Sequence, residues 1–298
     1  MQIFYEKNLS NLNINSSSIA LGSFESLHIG HMDIIRKTVE CAKNNNTKSI
    51  VTIFKEPILK LRNTVCETLE NRLEILENAK VDYVIIFEFT ESFKQLSADE
   101  FFRNILVKKL KASHIFVGFN YHFGNKAKGD TTLLEDLCKK TGIKLNVAPP
   151  VKTDRIISST YIYELIESGN IKTLNLCLGR PYSISGIVSK GRQIGNTIGF
   201  PTANIDYPTN KKVIKEGVYS GKCHIREKEY ASIINVGSQP TVTKNNTPKI
   251  EAHLLDFNGN LYGNEIRLDF HDKIRDIIAF DNIEDLKEQL KKDKEFCK

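Results

Sequence analysis

Two histidines three residues apart mark the first stretch of the chain that could do chemistry. The segment Leu21–His31 reads LGSFESLHIGH, in which a glycine turn ends an apolar run and His28 and His31 follow. One hypothesis is that phosphate chemistry takes place at this segment. The alternative is that the two imidazoles only fill space.

A hydroxyl and an amide two residues apart form a second candidate site. They are Thr202 and Asn204 in the segment Gly199–Asn204, which reads GFPTAN. If this segment is extended, both side chains project to one side, where their oxygens would suit a hard cation such as Mg²⁺. The loop just upstream contains Gly191 and Gly195, whose backbone N–H groups could lie against phosphates. Composition alone favours an ordinary turn with local Asn and Thr hydrogen bonds.

A carboxylate on a predicted strand is the third candidate. In the segment Ile250–Phe257, IEAHLLDF, a strand would place Glu251 and His253 on one face and Ala252 and Leu254 on the other. A carboxylate that points into a barrel interior could accept a proton from a substrate hydroxyl. The alternative, which is favoured for a single glutamate taken by itself, is an exposed side chain on a solvent face.

The order of elements in the first half of the chain predicts how the two histidines are positioned. The predicted strands are SSIALGSF, KSIVTIF, VDYVIIF, ASHIFVG and KLNVAPP, and the predicted helices between them are MDIIRKTVECAKNNN, TLENRLEILENAK, SADEFFRNILVKKL and DTTLLEDLCKKTG. Strands that alternate with helices predict right-handed crossovers and a parallel α/β sheet. Ligands bind at the carboxyl ends of such strands, where Gly22–His31 and Gly118–Gly129 both fall.

The pattern changes in the second half. From Tyr182 onward apolar residues alternate with period two, in the runs YSISGIVS, GVYSGKCHI, YASIINVG, KIEAHLLDF and EIRLDFHDKI. Turn residues separate these runs, which predicts an antiparallel barrel or sandwich. The amphipathic stretch NIEDLKEQLKKD predicts a closing helix. We place the domain boundary near Leu178–Pro181, which gives an α/β domain of residues 1–178 and a β domain of residues 179–298.

Composition limits the class of protein. The chain has 298 residues, 40% of them hydrophobic, and a net charge of +6 that is spread along it and fits a phosphate-bearing substrate. The N-terminus lacks a signal-peptide pattern, and no apolar run approaches the ~20 residues of a membrane helix. The cysteines show no C-x-x-C pair, which favours reduced thiols and a cytoplasmic location. They are Cys41, Cys66, Cys138, Cys177, Cys223 and Cys297.

The second half resembles the riboflavin kinase domain. The resemblance runs from about Leu178 to Asp293 and is carried by LGRPYSISGIVSKGRQIGNTIGFPTANI, GVYSGKCHI, INVGSQPTV, IEAHLLDFNGNLYG and KIRDIIAFDNIEDLKEQLKKD. It implies an antiparallel β-barrel domain with a C-terminal helix. This domain would phosphorylate riboflavin to FMN, with ATP as co-substrate and Mg²⁺ as cofactor. Arg275 matches an arginine near the flavin end of this family.

The same resemblance implies roles for individual residues. Thr202 and Asn204 would contact Mg²⁺ and the ATP phosphates. Glu251 would be the catalytic base that takes the proton of the terminal ribityl hydroxyl as this oxygen attacks the γ-phosphate. Gly191 and Gly195 would belong to a flap over the ATP.

The first half resembles the adenylyltransferase domain to which this kinase is fused in bacterial bifunctional FAD synthetases. The segments GSFESLHIGH, VGFNYHFGNKAKGD and IISSTYI carry the resemblance. It implies a Rossmann-like nucleotidyltransferase that transfers AMP from ATP to FMN and releases pyrophosphate. His28 and His31 match the motif Gly-x-Phe-Asp-Gly-x-His-x-Gly-His and would act on the α-phosphate. The matching ATP-binding residues are Gly22, Phe24, Gly30, Asn120, Ser159 and Thr160.

The first half also departs from its family. Glu25 stands where the family has Asp, and Ser26 replaces a glycine. The segment IFKEPIL lacks the family's histidine after the second strand. Tyr163 stands where an arginine normally follows the Ser-Ser-Thr run, so a charged phosphate donor is missing.

These observations predict a two-domain transferase whose substrates are riboflavin, FMN and ATP. In one alternative the second domain is a riboflavin kinase, and the first domain serves only as a binding or scaffold module. A third hypothesis, a flavin-responsive RNA-binding regulator, rests only on the basic charge balance, and the chain has no basic-aromatic stripe or reading motif. We therefore expect neither nucleic acid nor membrane as a partner, and the sequence does not predict an oligomeric state.

Overall fold

The computed structural model describes residues 1–56, 64–190, 199–237 and 248–297. The chain forms two compact units, Met1–Ser159 and Thr160–Lys298. The first contains a parallel sheet and the second a closed barrel, which confirms the predicted fold class. The predicted boundary between residues 178 and 179 stays a prediction; in the structure the chain from Thr160 onward groups with the barrel.

A parallel sheet of six strands forms the first unit, in the order β1-β4-β3-β2-β5-β6. Its strands are β1 (Gln2–Tyr5), β2 (Ser17–Ala20), β3 (Lys48–Phe54), β4 (Tyr83–Phe87), β5 (Ala112–Gly118) and β6 (Lys144–Ala148). Its helices are α1 (Ile29–Asn44), α2 (Leu69–Asn78), α3 (Glu91–Gln95), α4 (Ala98–Glu100) and α5 (Thr131–Thr141), together with short 3₁₀ segments at Glu6–Asn11 and Asn125–Ala127 and a π-helix at Phe101–Lys109.

The sheet is buried on both faces, which explains its continuous apolar runs. Along β3, Ile50 packs into one hydrophobic cluster and its neighbour Val51 into the cluster on the opposite face. Both side chains are fully buried. Successive strand residues point to opposite faces, so a strand covered on both sides loses the alternating pattern.

The strand order reverses between β2 and β5, which are neighbours although helices and two other strands separate them in the chain. In open parallel sheets this reversal opens a crevice at the carboxyl ends of the two strands. The segments that follow β2 and β5 therefore diverge around a ready-made ligand position. They are the two segments expected from the sequence.

A closed antiparallel barrel forms the second unit, in the order β10-β11-β8-β7-β12-β9. Its strands are β7 (Tyr182–Ser189), β8 (Ala203–Asp206), β9 (Gly217–Ile225), β10 (Lys228–Gly237), β11 (Lys249–Leu254) and β12 (Glu265–Arg275). Helices α6 (Ser159–Ser168) and α7 (Ile171–Leu178) precede the barrel and α8 (Ile283–Phe296) follows it. Each helix among the described residues is too short or too polar to cross a lipid bilayer.

Apolar side chains fill the barrel interior. Ile234, Ala252 and Leu268, from three different strands, are fully buried. On β11, Ile250 shares this inward face with Ala252, so the strict alternation of a strand turns Glu251 to the opposite, outer face. The idea that this carboxylate points into the barrel is therefore corrected, because the interior is packed with hydrocarbon and leaves no place for a charge.

Candidate active sites

The loop after β2 is held in an uncommon backbone conformation. Phe24 and Leu27 have φ of 45° and 46°, in the left-handed region. Ser26, which replaces the family's glycine, lies between them and is not among the residues with positive φ, so the change from glycine imposes no such strain there. Gly22 is required for a different reason, because a Cβ at this position would lie 2.9 Å from the Phe24 ring.

His28 caps the N-terminus of α1. Its Nδ1 accepts a hydrogen bond from the backbone N–H of His31 at 3.2 Å. Because Nδ1 is the acceptor, the neutral ring carries its proton on Nε2. Gly30 lets the ring sit over the helix end, since a Cβ there would lie 3.2 Å from His28 Cε1. The cap thus leaves a donor at the positive end of a helix dipole.

His31 stacks on His28 with ring centroids 3.6 Å apart, and its other side meets the Phe24 ring edge-on at 5.2 Å. Its Nδ1 is buried and has no hydrogen-bond partner among the described residues. Burial, with the electrostatic influence of His28 as a smaller cause, holds the pKa of His31 well below its usual value of 6.5. At neutral pH His31 is therefore an uncharged imidazole.

The remaining residues expected to bind ATP lie on two further segments. Ser159 begins α6, and its Oγ lies 3.4 Å from Ser26 Oγ in the loop after β2. Thr160 is the first residue of the second compact unit, and its ATP contact stays a prediction. Asn120 follows β5 at the same sheet edge, and it is exposed. Tyr163, which stands where the family has an arginine, is buried, with 3% of its surface exposed.

An aromatic cluster at the carboxyl ends of β3 and β4 escaped the sequence analysis. Phe54 ends β3, and its ring meets Phe89 at 5.7 Å and Phe93 at 5.6 Å, edge to face in both cases. Phe89 is 40% exposed. The buried guanidinium of Arg72 supports this edge by donating hydrogen bonds to the carbonyls of Phe54 and Lys55, at 2.8 and 3.0 Å. The only sequence signal was a phenylalanine at the end of each strand.

In the barrel, the strand register places Glu251 between two amides. It lies directly opposite Asn204 of β8 on one side and opposite Asn235 of β10 on the other. Residues opposite each other in antiparallel strands share a face, with Cβ atoms about 4.5–5.5 Å apart. The structure thus brings Glu251 and Asn204 together as expected, and it adds Asn235, which the sequence analysis missed because the register of a barrel is not visible in the pattern.

Two side-chain environments define this barrel site. Asn204 is 7% exposed, and its Oδ1 has no hydrogen-bond partner among the described residues. Glu251 has a side chain that is 28% exposed, and its Oε1 accepts a hydrogen bond from Lys249 Nζ at 2.5 Å. Thr202 directly precedes β8. The site therefore offers an unpartnered amide oxygen beside a half-buried carboxylate.

The Arg275 side chain forms an ion pair with Asp293 of α8. Its guanidinium donates to both carboxylate oxygens of Asp293, at 2.8–3.1 Å, and Asp293 also accepts from Gln289 at 2.9 Å. The Asp293 side chain is fully buried. These contacts fasten α8 to the end of β12, and the direct flavin contact expected for Arg275 stays a prediction. Gly191 and Gly195, expected in a flap over ATP, lie outside the described residues.

The fold and these two sites define a two-domain enzyme that handles phosphate groups, with imidazoles at a helix N-terminus in one unit and a carboxylate among amides in the other. A family profile described as FAD synthetase matches residues 11–161, and one described as riboflavin kinase matches residues 178–298. Both kinds of domain use ATP.

Similar proteins cover nearly the whole chain. A bifunctional riboflavin kinase/FMN adenylyltransferase from Buchnera aphidicola is 33% identical over 98% of this chain and 96% of its own length. The protein of that name from Bacillus subtilis is 32% identical over 94% and 90%. A crystal structure described as a macrolide-efflux protein from Streptococcus pneumoniae has a TM-score of 0.91 and is 29% identical, covering 100% of this chain and 99% of its own. The chain belongs to the family of bifunctional riboflavin kinases and FMN adenylyltransferases.

Proposed function

We propose that the barrel unit transfers the γ-phosphoryl group of ATP to riboflavin, and that the α/β unit transfers AMP from a second ATP to the FMN formed, giving FAD and pyrophosphate. The observation that carries the proposal is the register that sets Glu251 between Asn204 and Asn235 on one face of the barrel. A general base and polar groups for phosphate oxygens are what phosphoryl transfer to an alcohol requires.

In the barrel, Glu251 is the general base. Lys249 holds carboxylate Oε1, so we assign Oε2 to the terminal ribityl hydroxyl of riboflavin. As the hydroxyl oxygen attacks the γ-phosphorus, its proton moves to Oε2, the bond to the β-phosphate oxygen breaks and ADP leaves. Asn235 lies beside the base and is the group we assign to positioning the ribityl chain, because its amide both donates and accepts hydrogen bonds.

Asn204 and Thr202 are the residues that would hold Mg²⁺. The buried Oδ1 of Asn204 supports this assignment. It has no hydrogen-bond partner in the part of the chain that the structure describes, and a buried amide oxygen without a partner is costly unless a ligand completes it. A hydroxyl and an amide oxygen also suit the hard-cation chemistry of Mg²⁺, which retains phosphate oxygens as ligands. When bound, the ion neutralises charge on the phosphate oxygens.

In the α/β unit, a phosphate oxygen of FMN attacks the α-phosphorus of ATP and pyrophosphate leaves. The α1 N-terminus, His28 Nε2–H and the neutral His31 donate to the α-phosphate oxygens, where negative charge grows in the transition state. The uncharged His31 ring can donate through its N–H without first taking up a proton. The ATP contacts assigned within this unit are Gly22, Phe24, Gly30, Asn120 and Ser159.

The aromatic cluster supplies a place for the flavin ring in the α/β unit. Phe54 and Phe89 lie at the carboxyl edge of the sheet, and the exposed Phe89 ring can stack against a planar isoalloxazine. This arrangement would set the FMN phosphate towards the loop after β2, since both features occupy the same sheet edge.

Product analysis tests the two activities. Riboflavin with Mg-ATP should give FMN first and then FAD, and His31→Ala should abolish FAD formation while FMN continues to accumulate. Absence of FMN from the wild-type protein would overturn the kinase assignment. FMN without FAD at high enzyme concentration would favour the alternative in which the first unit serves only as a scaffold. The cytoplasmic location stays a prediction from the scattered cysteines, all six of which are free thiols.

A further inference from the structure

His253 makes a contact that joins two parts of the barrel site. It follows Glu251 by two residues on β11 and therefore shares its outer face. Its Nδ1 lies 2.8 Å from the backbone carbonyl oxygen of Pro201, and its ring lies 5.3 Å from that of Phe200. A carbonyl oxygen only accepts hydrogen bonds, so Nδ1 carries a proton and donates it.

The hydrogen bond from His253 to Pro201 lies just beyond the end of the backbone hydrogen-bond ladder between β8 and β11. That ladder pairs Asn204 with Glu251 and Ala203 with Ala252, and it includes no pair beyond these towards Pro201. Asn204 is thus held by backbone pairing, whereas Thr202 lies before the strand begins. Pro201 has no N–H, so its carbonyl is the one backbone hydrogen-bonding group that this residue offers.

We infer that His253 is a positioning residue of the kinase site. Its side chain continues the ladder by one step, and it ties the segment that carries Thr202 to the strand that carries Glu251. The hydroxyl that faces the cation and the carboxylate that faces the riboflavin hydroxyl are then parts of one rigid unit. This inference rests on the function proposed for the barrel.

The charge state of His253 suits this role. Burial lowers its pKa below the usual 6.5 and the nearby Lys294 lowers it further, while the hydrogen bond to Pro201 acts in the opposite direction. The ring is thus neutral at pH 7 and keeps its donor on Nδ1. It fastens the loop without adding a positive charge beside Thr202 and Asn204, where such a charge would oppose cation binding.

Two variants of His253 distinguish the effect of losing the hydrogen bond from the effect of changing the size of the side chain. His253→Leu removes the donor, whereas His253→Asn retains an N–H at the δ position. The matched control is His271→Leu, a histidine on β12, outside the paired strands β8 and β11. The first measurement is amide hydrogen exchange in peptides covering residues 199–206 of the full chain without ligands. We expect about fivefold faster exchange in His253→Leu, the equivalent of one neutral hydrogen bond, and near wild-type exchange in the other two variants.

The second measurement is the Mg²⁺ dependence of FMN formation. His253→Leu should raise the half-saturating Mg²⁺ concentration about fivefold and leave the KM for riboflavin within about twofold, and His253→Asn should restore most of the difference. Unchanged exchange in His253→Leu, or equal damage in the Leu and Asn variants, would overturn the inference. A wild-type protein that makes no FMN would instead overturn the proposed function, and the exchange result would still decide whether His253 fastens the loop.

Discussion

The buried ion pair of Arg275 and Asp293 should contribute strongly to the stability of the barrel unit, because it attaches α8 to β12. Asp293 is fully buried and receives three hydrogen bonds from Arg275, whose own side chain is only 15% exposed. In Arg275→Met the carboxylate keeps only the Gln289 contact and remains buried without a countercharge. Removing one partner of a buried ion pair costs about 3–5 kcal/mol, so we expect a loss of this size in the stability of the barrel unit.

The assay is urea unfolding of the full chain, followed by amide exchange of peptides from β9 and β12, which report on the barrel separately from the α/β unit. Arg275→Met/Asp293→Leu is the informative companion, because replacing both partners removes the uncompensated charge and should restore most of the lost stability. Lys222→Met is the control, since it breaks a barrel ion pair with Glu229 that is about half exposed. If Arg275→Met were no more destabilising than Lys222→Met, the reasoning would be refuted.

Three further predictions concern the α/β unit. Because burial holds the folded-state pKa of His31 well below 6.5, the unfolded chain takes up a proton at higher pH than the folded chain, so the stability of the α/β unit should fall as the pH drops below 6.5. Urea titrations at successive pH values should show a smaller fall in His31→Phe, and equal falls would contradict the assignment. Gly30→Ala places a Cβ 3.2 Å from His28 Cε1 and should slow FAD formation about tenfold with FMN formation unchanged; an unaltered FAD rate would count against the cap geometry. Phe89→Ala should raise the KM for FMN about fivefold and leave the KM for ATP unchanged, whereas equal effects on both would remove Phe89 from the flavin position.

Most elements of the fold could be predicted because each has its own local pattern. The runs YSISGIVS and GVYSGKCHI coincide with β7 and β9, and a capping box formed by Ser97 and Glu100 begins the helix predicted for SADEFFRNILVKKL. The helix it begins departs from the prediction, since the chain continues from α4 into a π-helix. Strand β1 was missed because its four residues are exposed or half-buried, and its pairing with β4 supplies what its sequence lacks.

Only the site residues that lie within a sequence motif could be predicted. Resemblance identified His28, His31, Asn204 and Glu251 as candidates, and the structure brings the two histidines together and sets the last two opposite each other. The additional neighbours Asn235 and Arg72 depend on strand register and on packing between elements, which a one-dimensional pattern does not contain. The outward orientation of Glu251 was already indicated by its alternation with Ile250, Ala252 and Leu254, whereas its place between Asn204 and Asn235 was not.

The rate of FMN formation by Glu251→Gln tests the central claim most directly. The substitution keeps the size of the side chain and removes the group that takes the proton from the ribityl hydroxyl. We expect FMN formation to fall by about 10²–10⁴, while FAD formation from supplied FMN and ATP stays at the wild-type rate. FMN formation within a few-fold of the wild-type rate would contradict the assignment of Glu251 as the base.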